Sequence, residues 1–251
     1  MKIDKKLDFI IIGSQKAGTT FLANVLNSST EIFIPEEKEL PFYLNGYYKD
    51  ISLDEFIKLY FMKASNNQLL ATSTPQYMIY PETFKKIKED NPNIKIIVIL
   101  RNPIERLISH YDMSCRQGKE IRNINEVINE QLNNIEYYRD IHSDDTTSKY
   151  VVAGEYGRIL LKLLEDFELR QIHILSFFNL TQNVEKEIKK IETFLNLKNK
   201  ITNFYTKPKM EGGKKKIINI NHEKIIRKIS EFMKKLKIYK FIPFLIKKKI
   251  R

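Results

Sequence analysis

The sequence predicts an α/β fold, with a central parallel sheet flanked by helices in three layers, and three observations carry that reading. Short apolar runs recur at 8–12 (DFIII), 69–72 (LLAT), 94–100 (IKIIVIL) and 171–177 (QIHILSF). Each run is flanked by segments whose apolar residues repeat at helical spacing. Continuous apolar runs suit strands covered on both faces, joined by right-handed crossover helices. The third observation is the stretch after the first run, GSQKAGTT at 13–20, a glycine-bearing turn that enters a helix.

The elements follow in order. Gly13 lets the chain leave the first strand in a tight turn, and Gly18 opens a helix over 18–27 whose free N–H groups and dipole favour an anion. A short strand is expected at 31–33, then helices at 53–64 and 81–90 around the 69–72 strand. The 94–100 strand ends at Arg101. Asn102 is placed to cap the next helix, 103–117, and Pro103 sits in its first turn. Ile104, Leu107, Ile108, Tyr111 and Cys115 form the apolar stripe of that helix, and Ser109 lies off it. Residues 117–147 are polar and Asn-rich and are expected to hold a mobile or substrate-covering segment. Helices at 148–167, 183–196 and 222–238 complete the pattern.

A chain of 251 residues with 42% hydrophobic content suits one large domain, here 1–220, with an appendage at 221–251. The single cysteine, Cys115, allows no internal disulfide, and no run approaches a membrane span. Met1 to Lys6 lead into a strand with no signal-peptide core, so a cytoplasmic protein is expected. The formal charge of +12 is unevenly spread: 16 of the 43 basic and 3 of the 31 acidic residues fall at 207–251, leaving 27 against 28 before them. A nucleic-acid partner is therefore not implied. In the tail, Ile225, Ile226, Ile229, Phe232, Met233 and Leu236 share one helical face, with lysines and Arg227 elsewhere, and Phe241 to Ile246 run into Lys247, Lys248 and Lys249. That basic amphipathic signature points to an anionic membrane surface, the inner face of the plasma membrane, or to docking of the apolar face on the domain.

The candidate chemistry begins with the loop Gly13, Ser14, Gln15, Lys16, Ala17, Gly18, Thr19 and Thr20. Its G-x-x-x-x-G spacing is that of nucleoside-triphosphate loops, which continue with Lys-Ser or Lys-Thr. Here Thr19 stands where that lysine would, and Lys16 lies inside the loop, which argues against a kinase. Arg101 and Ser109 can jointly hold a second phosphate, the arginine by a forked charge-assisted pair and the hydroxyl by donation. Alternatively Arg101 pairs with a nearby carboxylate and Ser109 is solvated. His110, His142 and His173 have no metal-ligand partners at useful spacing, so no metal site is expected.

A modified phosphate loop followed by strand-Arg-x-Pro-x-x-Arg-x-x-Ser resembles the sulfotransferase family that uses 3′-phosphoadenosine 5′-phosphosulfate (PAPS). PEEKELPFY at 35–43, STPQY at 73–77, GEYGRILLKLLEDF at 154–167 and QIHILSFFNL at 171–180 resemble the branch of heparan sulfate glucosaminyl and bacterial glycan sulfotransferases. The resemblance covers about 10–210 and implies a P-loop-like fold. It assigns the 5′-phosphosulfate to Lys16, Gly18, Thr19 and Thr20, and the 3′-phosphate to Arg101 and Ser109. It makes Glu39, in Lys38-Glu39-Leu40-Pro41-Phe42, the general base, with Lys16 offsetting charge on the leaving nucleotide and no metal required. Lys38, Ser73, Tyr77 and Tyr156 are the implied acceptor contacts. The lid over the nucleotide falls at 207–216, KPKMEGGKKK, where Gly212 and Gly213 allow close approach and Lys209 or Lys214 reaches the 3′-phosphate. Ser73 stands where the animal branch commonly carries a lysine, and this implies a less anionic sugar than heparan. The expectation is sulfation of a carbohydrate, on a hydroxyl in preference to an amine. A magnesium-dependent P-loop kinase and a non-enzymatic module recruited by its basic tail to membrane or nucleic acid are the rivals.

Overall fold

The computed structural model describes residues 6–45, 47–48, 50–140 and 149–202. The expected lid with Lys209, Gly212, Gly213 and Lys214, the 222–238 helix, His142 and the boundary at 220 lie outside these residues. Five strands form one parallel sheet: β1 (Phe9–Gly13), β2 (Ile32–Phe33), β3 (Leu69–Ser73), β4 (Lys95–Leu100) and β5 (Ile172–Ser176). Their order is β2-β3-β1-β4-β5. After β3 the chain crosses back over β1 to place β4, so the strand order reverses around β1. The crevice beyond the carboxyl ends of β1 and β4 is where such sheets bind ligands.

Register alternates the strand side chains between two cores. Ile10 stands level with Ile96, and Val98 with Ile174, on one face. That face is covered by α2 (Leu53–Phe61), α3 (Thr83–Asp90) and α7 (Tyr156–Asp166), through Phe56, Phe84, Ile159 and Leu163 among others. Phe9, Ile11, Ile97 and Ile99 face α1 (Thr19–Asn27), α8 (Phe177–Gln182) and α9 (Val184–Leu195). Nearly all of these strand residues are fully buried, which is why the runs read as continuously apolar.

Helix signals hold where the chain carries explicit caps. Ser52 and Glu55 form a reciprocal capping box at α2. Asn102 accepts from the N–H groups of Ile104 and Glu105 at α4 (Pro103–Arg116), as its position predicts. Residues 117–147 differ from expectation: they contain α5 (Ile124–Asn133) and α6 (Ile135–Asp140). The polar composition hid a stripe of Ile124, Val127, Ile128 and Gln131, capped by Asn123 with Glu126, which packs on Leu107 and Tyr111 of α4. The helix expected at 148–167 is also broken. A short 3-10 turn at Val152–Gly154 precedes α7, because Gly154 packs on Pro103, 3.3 Å from where a β-carbon would stand.

A buried polar layer lies under α4 and α7. Glu155 is held by both Arg139 and Arg158, and Arg106 donates to the Tyr150 carbonyl and meets His110 Nδ1 at 3.3 Å. Lys149 is fully buried, its ammonium 4.3 Å from the centre of the Tyr80 ring. Burial pushes its pKa down from 10.5 to about 8, with Glu82 opposing the shift. The folded protein thus binds fewer protons than the unfolded chain between those values, and stability should rise with pH across that window. Chemical denaturation from pH 8 to 10.5 should show a gain of roughly 1–3 kcal/mol in the wild type that Lys149→Met lacks. A wild-type-to-variant difference that stays constant over the window would refute this assignment.

Candidate active site

The loop between β1 and α1 is seated on β4. Ser14 donates its backbone N–H to the Ile99 carbonyl at 2.8 Å and its hydroxyl to the same oxygen at 3.0 Å. Ser14 is therefore buried beneath the cradle, where its Oγ also lies 3.2 Å from the Tyr156 hydroxyl. Ala17 closes the turn on the Ser14 carbonyl and is itself buried in the core. Lys16 and Gly18 adopt positive φ, 68° and 88°. Gly18 caps α1 without a side chain, and the first turn carries no acidic residue. The N–H groups there stay open to an anion. Thr19 is buried and Thr20 exposed, while Gln15 turns a buried Oε1 without a partner.

Two cations border this helix end. Arg101, at the exit of β4, donates to the Lys16 carbonyl at 3.0 Å and pairs with Glu105 at 3.3 Å. Its guanidinium stacks on Phe177, 4.9 Å from the ring centre, and the same ring lies 3.1 Å from where a β-carbon on Gly18 would stand. Lys16 reaches the other way, its ammonium 3.5 Å from the Met113 sulfur of α4. Burial, then Arg116 and Arg101, lower its pKa, while Glu39 and Asp112 oppose the shift. Ser109, half-buried on α4, makes no hydrogen bond among the described residues.

The sequence reading missed Asp112, Met113 and Arg116, which follow Ser109 at three, four and seven residues and so share its helical face. That spacing was the available signal. Phe177 was also missed, hidden in a run read as strand.

Glu39 stands on the segment after β2, its side chain 42% exposed. One carboxylate oxygen takes the Lys38 ammonium at 2.6 Å and the other accepts from Gln76 at 3.0 Å. Gln76 sits in the 3-10 turn Pro75–Ile79 that follows β3. Ser73 donates its N–H to the Lys38 carbonyl at 2.9 Å, and its buried hydroxyl has no partner. Two tyrosines fall elsewhere than expected. Tyr77 is fully buried and acts as a post: its hydroxyl donates to the Leu40 carbonyl at 2.9 Å and accepts from the Tyr43 N–H at 3.2 Å. Full burial, with its proton committed to the Leu40 carbonyl, takes this hydroxyl away from an acceptor. Tyr156 meets Ser14 under the phosphate loop and so supports the donor side of the site.

His110 is fully buried, and burial with Arg106 and Lys16 nearby holds its pKa well below the usual imidazole range. Among the described residues, no cluster of three or more His, Cys, Asp or Glu is placed to hold a metal, and no helix is long and apolar enough to cross a membrane.

Fold and loop together define an α/β protein with a glycine-bearing loop and an open helix N-terminus at the switch point of a parallel sheet. The chain belongs to the sulfotransferase family, whose domain model matches residues 6–250. It is 29% identical over 199 residues to the heparan sulfate glucosamine 3-O-sulfotransferase 5 of Mus musculus, covering 78% of this chain and 55% of that protein. A membrane-associated sulfotransferase of Dictyostelium discoideum is 33% identical over 111 residues, 43% of this chain and 23% of that one. The chain spans about half or less of the length of these curated relatives. A sulfotransferase structure from Alicyclobacillus acidocaldarius shares the fold, with a TM-score of 0.69, 19% identity, and coverage of 90% of this chain and 92% of that one.

The cradle depends on Gly13, whose φ is 145° and whose absent β-carbon would lie 2.8 Å from Met78 Cβ and 3.2 Å from the Pro75 carbonyl. Gly13→Ala should cost roughly 2 kcal/mol or more in chemical denaturation. A variant as stable as the wild type would show that the turn tolerates what this geometry forbids.

Proposed function

We propose that the protein transfers the sulfuryl group of PAPS to a hydroxyl of a carbohydrate acceptor. The observation that carries this is the convergence on Lys16. Its ammonium lies in the electrostatic reach of Arg116, Arg101 and Glu39. We infer that this carboxylate, the loop cation and the arginine at the strand end serve one cleft. The site suits a polyanionic nucleotide, having an open helix N-terminus, no acid in that turn, and a stacked arginine at the strand end.

PAPS supplies an activated sulfuryl group on a phosphate leaving group. The first turn of α1, with Lys16, Thr19 and Thr20, would bind its 5′ end, and Arg101 with Ser109 its 3′-phosphate. Glu39, oriented by Lys38 and Gln76, accepts the proton of the acceptor hydroxyl as that oxygen bonds to sulfur. Lys16 stabilises the negative charge that passes to the bridging oxygen as the sulfur–oxygen bond to phosphate breaks. The resemblance to glucosamine 3-O-sulfotransferases supports a hydroxyl over an amine and a sugar over a small phenol.

Glu39→Gln should lower turnover by about 10²-fold or more and leave the affinity for adenosine 3′,5′-bisphosphate nearly unchanged, whereas Lys16→Ala should damage both. Retention of more than about a tenth of the rate by Glu39→Gln would end its assignment as the base. Arg101→Ala and Ser109→Ala should weaken the bisphosphate more than adenosine 5′-phosphate in calorimetry. Arg101→Ala should also weaken the monophosphate somewhat, because its bond to the Lys16 carbonyl is lost. Equal losses for both nucleotides would mean that neither residue reads the 3′-phosphate.

A further inference from the structure

A cavity of about 380 Å³ opens between α1 and the end of α2, toward the lower end of the roughly 300–1,000 Å³ usual for small-ligand sites. It is lined by Asn24 and Asn27 of α1, Phe33 of β2, Glu36 and Lys38 after that strand, and Lys63 beyond α2. Two features join it to the cleft already described. Lys38, part of its wall, is salt-bridged to Glu39 at 2.6 Å. Asn24 lies one helical turn beyond Thr20, the last residue of the phosphate loop.

The lining has the chemistry of a sugar subsite. Phe33, with Pro35 beside it, supplies apolar surface for the C–H face of a ring. Asn27 accepts the Ile34 N–H at 2.7 Å, which anchors its amide and leaves the NH₂ group to donate elsewhere. The Asn24 amide, the Glu36 carboxylate and the Lys63 ammonium make no hydrogen bond or ion pair among the described residues. Each is thus free to exchange solvent for sugar hydroxyls.

The charge balance identifies the sugar. Lys38 is neutralised by Glu39, which leaves Glu36 and Lys63 as one acid and one base. Uncharged Ser73, whose N–H holds the Lys38 carbonyl, adds no cation to this wall. A uronate or sulfated ring would set its anion against Glu36 with only Lys63 to offset it. A neutral ring uses the ammonium as donor and the carboxylate as acceptor, and pays neither penalty. We propose that this cavity binds an uncharged sugar unit adjoining the one that is sulfated, an inference that rests on the carbohydrate-acceptor reading above.

The test uses the full chain saturated with adenosine 3′,5′-bisphosphate and two tetrasaccharides, one of N-acetylglucosamine units and one alternating glucuronate with N-acetylglucosamine, titrated by calorimetry. The neutral chain should bind about tenfold tighter, and Glu36→Lys should reverse that order. Asn24→Ala and Lys63→Ala, both exposed positions, should each weaken the neutral chain about fivefold or more with nucleotide affinity unchanged. Equal or tighter binding of the glucuronate chain by the wild type would overturn the inference, as would unchanged neutral affinity in both alanine variants. Wild-type protein that binds the nucleotide but neither tetrasaccharide overturns this inference alone. Wild-type protein that binds no nucleotide overturns the donor reading beneath it as well.

Discussion

The carbonyl of Ile99 is the point from which the loop between β1 and α1 hangs. Its two lone pairs take the N–H and the hydroxyl of Ser14, so the loop after β1 is bound to the neighbouring strand and not only to its own. Two residues further on, Arg101 returns a hydrogen bond to the Lys16 carbonyl. The end of β4 therefore holds the loop at both Ser14 and Lys16, and the same arginine carries charge into the site. Any displacement of β4 relative to β1 would move the cradle and its cation together.

The segment that carries Glu39 is built differently, because it has no regular secondary structure. Its position comes from the chain after β3. Ser73 and Thr74 hold the Lys38 and Leu40 carbonyls, Tyr77 props the Leu40 carbonyl from below, and Gln76 takes one carboxylate oxygen. Four hydrogen bonds from residues 73–77 thus fix a segment that its own backbone could not. An irregular segment supported in this way keeps a carboxylate both oriented and accessible.

Concentrating cations around Lys16 works against stability. Lys16 is held at positive φ with its ammonium half withdrawn from water near Arg101 and Arg116, and below it Arg106 and His110 are buried with ring and guanidinium nitrogens lacking partners. Strain and uncompensated polarity of this kind collect at functional sites and are supported by packing elsewhere. Here the support is the pair of apolar cores on either face of the sheet, both assembled from buried residues of strands and of the helices that cover them.

The strands, the phosphate loop, the α4 cap and the Arg101 exit were legible in the sequence because each is local: burial on both faces writes a continuous apolar run, and turn or cap chemistry writes glycine, asparagine and proline at fixed offsets. The helices α5 and α8 were not, since Asn-rich and strand-like compositions masked short stripes whose burial comes from α4 and from the second core. The roles of the tyrosines were equally hidden. Nothing local distinguishes Tyr77, a buried post, from a tyrosine lining a cleft, or aims Tyr156 at Ser14, 142 positions away. Sequence by itself determined which strand runs would be buried and where the chain would turn after them. Only the strand order β2-β3-β1-β4-β5 decided which polar groups meet, because hydrogen-bond partners and charge convergence depend on distances between segments remote in the chain.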